Sequence, residues 1–226
     1  MQKDFQNQID KPGGVVLEIQ DLHQRYGDLE ILSISSFRIE HGIYWIQGEN
    51  GAGKSTLFRT LSGMLPYVGD VTLNGQYNLR KHPVDYRLRL NLGEAEPLYP
   101  SFLTPSDLID FVAEAKKAPA GQRDKLIDAL GINYLKNSFG SCSSGMVKKV
   151  SLALAFLGEP SVIILDEPLI TIDRDAQAAL FGLIRSYHEA GVTFLLSSHQ
   201  LFQQDGLQVT ETFALKNKNL VSISHS

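Results

Sequence analysis

Apolar residues fall along this chain in short runs and helical stripes, and the switching between the two patterns predicts its elements. Val15–Leu22 and Ile34–Ile39 read as strands, and Ile43-Tyr44-Trp45-Ile46 as a buried strand. Leu57, Phe58, Leu61 and Met64 then fall at helical spacing, with Gly63 and Pro66 as stop signals. Asp70–Gly75 reads as a short strand ending in an Asn-Gly turn. The basic positions Arg80, Lys81, Arg87 and Arg89 read as loop material on a solvated face, and Leu88–Leu92 as a strand. Helical faces follow at Leu108, Ile109, Val112 and Ala115, at Leu126, Ile127, Leu130 and Ile132, and at Val147, Val150, Leu154 and Leu157. Val162-Ile163-Ile164-Leu165 is a continuous apolar run, the pattern of a central parallel strand covered on both faces. A helix over Ala176–Glu189, a strand over Val192–Leu196 and a hairpin over Thr210–Ser222 complete the chain. The fold class is therefore α/β, with a mainly helical stretch inserted over 93–157. Met1–Gly14 is polar, ends Lys11-Pro12-Gly13-Gly14, and reads as a loose leader before a single domain over 15–226.

Chemistry enters where the first buried run ends. Gly48-Glu49-Asn50-Gly51-Ala52-Gly53-Lys54-Ser55-Thr56 contains G-x-x-x-x-G-K-[ST], the phosphate-binding loop pattern. Glycines let the backbone turn tightly so that its N–H groups converge on phosphate oxygens. Lys54 can place a point charge on the β- and γ-phosphates, and the Ser55 hydroxyl can ligate Mg²⁺. A strand, this loop and a helix in sequence aim the positive end of the helix dipole at a bound anion.

The run Val162–Leu165 delivers Asp166-Glu167-Pro168 to a strand's carboxyl end, where α/β sheets place their ligands. In a chain with a phosphate-binding loop, Asp166 suits Mg²⁺ held through water and Glu167 suits a general base for an attacking water. Parallel strand order brings His199, after Ser197-Ser198, to the same edge, where it could donate to a γ-phosphate. Tyr26, just upstream of the loop's strand, could stack on a base or simply pack in a turn. Ser143 and Ser144 by themselves read as caps of the helix that follows.

Composition removes several alternatives. The 226 residues carry a formal charge of -4, with 43% apolar and 20% charged positions. A general grip on nucleic acid needs clustered excess Lys and Arg, so no nucleic-acid partner is expected. No apolar run reaches the roughly 18 residues of a spanning helix, so direct membrane insertion is not expected either. The single cysteine, Cys142, rules out an internal disulfide and fits a reducing cytosol.

The order of these features resembles the ATP-binding cassette (ABC) family, specifically the nucleotide-binding subunit of an ABC transporter. The likeness runs from about Val15 to Ile223. It implies a P-loop NTPase fold with an N-terminal antiparallel β subdomain and an inserted helical subdomain. It also implies ATP and Mg²⁺ as ligands, with Tyr26 stacking on adenine and Gly48–Thr56 as the Walker A loop. Asp166-Glu167 would end Walker B, Asp173 would close a loop that signals between subunits, and His199 would be the switch histidine. Such subunits pair head to tail around two ATP molecules. Each P-loop then faces the other copy's serine-glycine signature, here Ser143-Ser144-Gly145-Met146. The implied partners are a second cassette, identical or not, and a separate transmembrane permease at the inner face of the cell membrane.

Two departures from the family pattern stand out. The signature is usually Leu-Ser-Gly-Gly-Gln, so here Ser144 adds a side chain near the phosphate and Met146 removes an amide. Ser-x-Gly-Met signatures are familiar among exporter cassettes, which implies outward transport. Gapless matching through Leu98-Tyr99-Pro100 also places Glu94 where Gln is usual, with Glu96 as the alternative register. Glu94 would offer an oxygen to Mg²⁺ while adding negative charge beside Asp166 and Glu167. Outside transport, the same residues would serve a soluble assembly scaffold of the iron–sulfur type or a nucleotide-gated module without useful hydrolysis. A translation factor of this family would carry a second cassette in the same chain.

Overall fold

The structure, a computed structural model, describes residues 14–198 and 207–223. The leader up to Gly13 and the switch candidate His199 lie outside the described residues. In chain order come β1 (Leu17–Tyr26), β2 (Leu29–Ile39), β3 (Ile43–Gln47), α1 (Lys54–Leu61), β4 (Val68–Leu73), β5 (Tyr77–Asn78), α2 (Pro83–Arg89) and β6 (Leu90–Gly93). The insertion supplies α3 (Pro105–Ala115), α4 (Gln122–Ala129) and α5 (Ser144–Ala155). Then follow β7 (Val162–Asp166), α6 (Arg174–Glu189), β8 (Thr193–Ser197), β9 (Glu211–Lys216) and β10 (Asn219–Ile223).

Two sheets organise these elements. An antiparallel sheet runs β2-β1-β4-β5, and a larger one runs β6-β7-β8-β3-β9-β10. In the larger sheet every neighbour pairs in parallel except β9 with β10, which close as a hairpin. That hairpin turns at Asn217 and Lys218, both at positive φ, as a tight two-residue connection demands.

The continuous apolar runs are explained by what covers them. Ile163 and Leu165 of β7, Phe194 and Leu196 of β8, and Ile43 and Trp45 of β3 belong to one buried cluster. That cluster also contains Leu180 and Ile184 of α6 and Val150 and Leu152 of α5. The alternate residues Val162, Ile164, Leu195, Tyr44 and Ile46 face a second cluster, with Leu57, Phe58 and Leu61 of α1 and the antiparallel sheet. A strand buried on both faces has no polar side to show, so its sequence loses the alternation of a half-exposed strand.

Two segments differ from the sequence expectation. β1 and β2 are longer than Val15–Leu22 and Ile34–Ile39, and they enclose Gln24-Arg25-Tyr26 within the strand. The register shifts between Gln24 and Arg25, and Gln24 is fully buried, so a bulge and a buried amide hide the strand pattern. The basic stretch expected as loop holds α2. Pro83 opens this helix at a position that needs no N–H, and Tyr86 is its buried anchor, donating to the Leu61 carbonyl at 2.8 Å. One inward residue in a short helix leaves no period to read.

Candidate nucleotide site

Parallel order fixes where the candidate residues meet. The carboxyl ends of β3, β6, β7 and β8 lie along one edge, and they carry in turn the P-loop, Glu94, Asp166-Glu167 and Ser197-Ser198.

At the P-loop, α1 begins at Lys54 after Gly53, which sits at φ 103° and supplies no side-chain cap. The first N–H groups of α1 therefore point outward without a side-chain acceptor, the arrangement that receives phosphate. Gly53 is confined as well as left-handed, since an added Cβ would lie 3.0 Å from Ile31 Cγ2. Lys54 is buried and curls over the loop, its Nζ donating to the carbonyls of Gly48 at 2.7 Å and Glu49 at 3.3 Å. Asn50 and Gly51 are exposed at the mouth, and Thr56 lies in the first turn of α1.

Asp166 joins the loop to the strand ends. Its Oδ2 accepts from Ser55 Oγ at 2.5 Å, and its Oδ1 accepts from Ser197 Oγ at 2.5 Å. Glu167, next along, is buried with φ 45°. A non-glycine residue in this region is uncommon and persists only when its surroundings hold it. Here the Glu167 N–H donates to both Ser197 O, at 3.2 Å, and Ser197 Oγ, at 3.1 Å. Ser197 thus orients both acidic residues, a role the sequence reading gives it no credit for.

The donor set suits Mg²⁺ in a particular way. A hydroxyl and a carboxylate at contact distance, with a further hydroxyl holding the other carboxylate oxygen, fit an ion that keeps most of its waters and takes phosphate oxygens. Among the described residues, no group of three or more His, Cys, Asp or Glu could cage a metal.

Glu94 sits at the same edge, but its carboxylate is held elsewhere. Arg59 Nε of α1 donates to Glu94 Oε1 at 2.8 Å, so the charge expected to burden Asp166 and Glu167 is paired. Lys148 of α5 comes closer to the acidic pair. Its side chain is 1% exposed, and Nζ donates to the carbonyls of Glu94 at 2.6 Å, Ala95 at 3.2 Å and Asp166 at 2.9 Å. Burial pushes the Lys148 pKa down to about 8, against the opposing pull of Asp166, Glu167 and Glu94. The sequence offered a faint signal, a lysine among the apolar positions of a buried helix.

The signature segment stands apart. Ser143 caps α5 by accepting from the Met146 N–H at 3.3 Å, and the Met146 sulfur accepts from the Ser143 N–H at 3.5 Å. Met146 thus performs, weakly, the reciprocal contact that a Gln makes in a capping box. Gly145 packs so closely on the loop after β7 that an added Cβ would lie 2.5 Å from the Thr171 carbonyl oxygen. Asp173 caps α6 through the Ala176 N–H at 2.9 Å and pairs with Lys149 of α5 at 2.5 Å. The Lys149 contact, then the Ala176 N–H, hold the Asp173 carboxyl below the usual carboxylate range. Among the described residues, no hydrogen bond or ion pair joins Ser143, Ser144 or Gly145 to the P-loop. Tyr26 ends β1 with half its surface exposed.

A family model described as ABC transporter matches residues 32–170, which span the P-loop, the signature and the acidic strand end. The chain belongs to the ABC transporter family. Relatives of this cassette include the sulfate/thiosulfate import ATP-binding protein CysA of Mycobacterium tuberculosis, 30% identical over 213 residues, covering 90% of this chain and 59% of that protein. The linearmycin resistance ATP-binding protein LnrL of Bacillus subtilis is 26% identical over 197 residues, covering 82% of this chain and 62% of that protein. The cassette thus spans about three fifths of the length of these curated relatives. A solved structure described as the ATP-binding subunit of an ABC transporter superposes with a TM-score of 0.81 at 27% identity, covering 91% of this chain and 88% of that one. A dimeric ATP-binding cassette in a post-hydrolysis state with ADP and Pi shares the fold, with a TM-score of 0.74 at 15% identity over 90% of this chain and 96% of that one. The fold class is accordingly that of an ABC ATPase, with an antiparallel sheet beside the mixed one.

Proposed function

We propose that this chain is the ATP-hydrolysing subunit of an ABC transporter, working as a head-to-tail pair of cassettes around two ATP molecules. The observation that carries this reading is the meeting of Ser55 and Ser197 on Asp166, beside an uncapped helix start and the buried Lys54. Gly48–Thr56 and Lys54 would cradle the β- and γ-phosphates, with Tyr26 against the adenine. Mg²⁺ would be held by Ser55 directly and Asp166 through water, and it supplies charge neutralisation on the phosphate oxygens. Glu167 orients the attacking water and takes its proton, while Lys54 and His199 balance the charge that develops on the γ-phosphoryl group. Glu94 would reach the metal's water shell only on leaving Arg59.

The second half of the site belongs to the partner cassette. Among the described residues no hydrogen bond or ion pair joins Ser143, Ser144 or Gly145 to their own P-loop, and the reading assigns them to the γ-phosphate held by the other copy. ATP then favours the closed pair because only that state offers the partner's N–H groups. Asp173 acts in this scheme by fixing α6 to the signature helix rather than by touching nucleotide. The insertion over 93–157 passes closure to a permease at the cytoplasmic face of the membrane. The permease is proposed as a separate partner; among the described residues, no helix is long and apolar enough to cross a membrane. Outward transport is proposed on the Ser143-Ser144-Gly145-Met146 signature alone, and the import ATP-binding proteins among the relatives weigh against it.

Glu167→Gln tests this directly. Turnover should fall by roughly 10²-fold or more, while Mg-ATP converts the chain to a dimer in light scattering. A variant that hydrolyses ATP normally, or stays single with ATP bound, would overturn the reading.

A further inference from the structure

Lys148, at 1% exposed, is more deeply buried than Lys54, the other ammonium at this edge, and three segments share it. The helix that carries it begins at the signature, with Ser144 four residues earlier, about 6 Å along the axis. Its acceptors are the turn after β6 (Glu94 and Ala95) and the end of β7 (Asp166). All three of its N–H donors are thereby used. Taking an ammonium out of water is costly, and an apolar side chain of similar length would fill the same space without that cost. A fold that keeps the charge here gains something other than packing. An ammonium gripping carbonyls is a compact point contact that tolerates rotation, unlike the planar fork of an arginine.

We propose that Lys148 is a positioning residue that sets the signature edge Ser143–Gly145 at a fixed height relative to Asp166-Glu167, by pinning α5 to the carbonyls of Glu94, Ala95 and Asp166. The inference rests on the assignment of those two ends to the two halves of a shared ATP site. Other links from the insertion reinforce the pin. Asn91 of β6 donates to the carbonyls of Ala155 and Leu157 at 2.8 Å each, and Lys116 Nζ reaches the Leu90 carbonyl at 3.2 Å. β6 is thus clasped along its length, and Lys148 closes the clasp at the end where the chemistry lies.

The test is Lys148→Met in the full chain. ATP affinity, read with a fluorescent ATP analogue, and KM should stay within about twofold, because Lys54 and the P-loop are untouched, while kcat falls about tenfold or more. Hydrogen exchange without nucleotide should quicken together at the amides of 94–98 and 143–147. Unchanged kcat, exchange that changes in neither segment or only one, or a parallel fall of kcat, ATP affinity and melting temperature would overturn the proposal. Where Lys148→Met does not fold, Lys148→Gln carries the same test. The exchange readout needs no pairing, so if Glu167→Gln stays single with ATP the pair is refuted while Lys148 is still judged.

Discussion

Two helices begin at functional loops in this molecule, and their first turns are built in opposite ways. α1 starts after Gly53, with no side chain over its N–H groups. α5 starts after Ser143, with both its cap contacts made within the turn by Ser143 and Met146. The first end is open and confined, wedged by Gly53 against Ile31. The second is self-satisfied and tethered by Lys148, Lys149 and the tight seat of Gly145 on Thr171. The physical lesson is a division of labour. Under the proposed function an anion would bind the open end without displacing a side-chain cap, whereas the capped end would have to exchange a weak internal contact for a phosphate.

The largest expected effect comes from damaging the open end. Lys54→Ala should lower turnover by roughly 10²–10³-fold and weaken ATP binding in the same titration; normal turnover would remove Lys54 from the site. At the tethered end Gly145→Ala forces a Cβ onto a carbonyl, and overpacking of this kind costs about 1–3 kcal/mol. Thermal melting measures that, and an unchanged melting temperature would show the Thr171 loop to be free to yield. Ser143→Ala removes the cap, which costs about 1 kcal/mol of stability. It should also slow turnover while leaving ATP affinity of the single chain as it was; equal losses of both would erase the contrast between the ends. Met146→Gln should do the reverse, replacing a thioether contact with an amide one and gaining about 0.5 kcal/mol in chemical denaturation.

The smallest effect is one of pH. Asp173 is held below its ordinary pKa by Lys149 and by the Ala176 N–H, so the folded state binds its proton less readily than the unfolded chain does. Its contribution is present above the ordinary carboxylate value of about 3.9 and disappears as pH falls through the lower folded value. Asp173→Asn should therefore flatten the acid limb of the stability curve below about pH 4 and leave stability at pH 7 little changed beyond the lost ion pair.

Much of this was legible along the chain. The P-loop is a local device, since a strand, a glycine turn and a helix start need only neighbouring residues to form, and Gly48–Ser55 state it in order. Asp166-Glu167 were legible because a both-faces-buried strand is a continuous apolar run and its end is a known place for ligands. Arg59, Lys148 and Ser197 were not. Each is an ordinary residue whose meaning depends on partners 35, 54 and 31 positions away, and no local pattern marks such a pairing. α2 escaped for a related reason, because a helix held by the single buried Tyr86 has no stripe.

By itself the sequence determined the kind of ligand, the class of fold and the acidic pair at the end of the central strand, because those rest on backbone geometry and burial repeated within a few residues. Only the tertiary structure decided that Glu94 is neutralised by Arg59, that Ser197 aligns the acidic pair, and that α5 is pinned to the same edge by Lys148. Those outcomes follow from parallel strand order bringing distant carbonyls and charges within hydrogen-bond reach in a dry interior, where an unpaired partner would be costly.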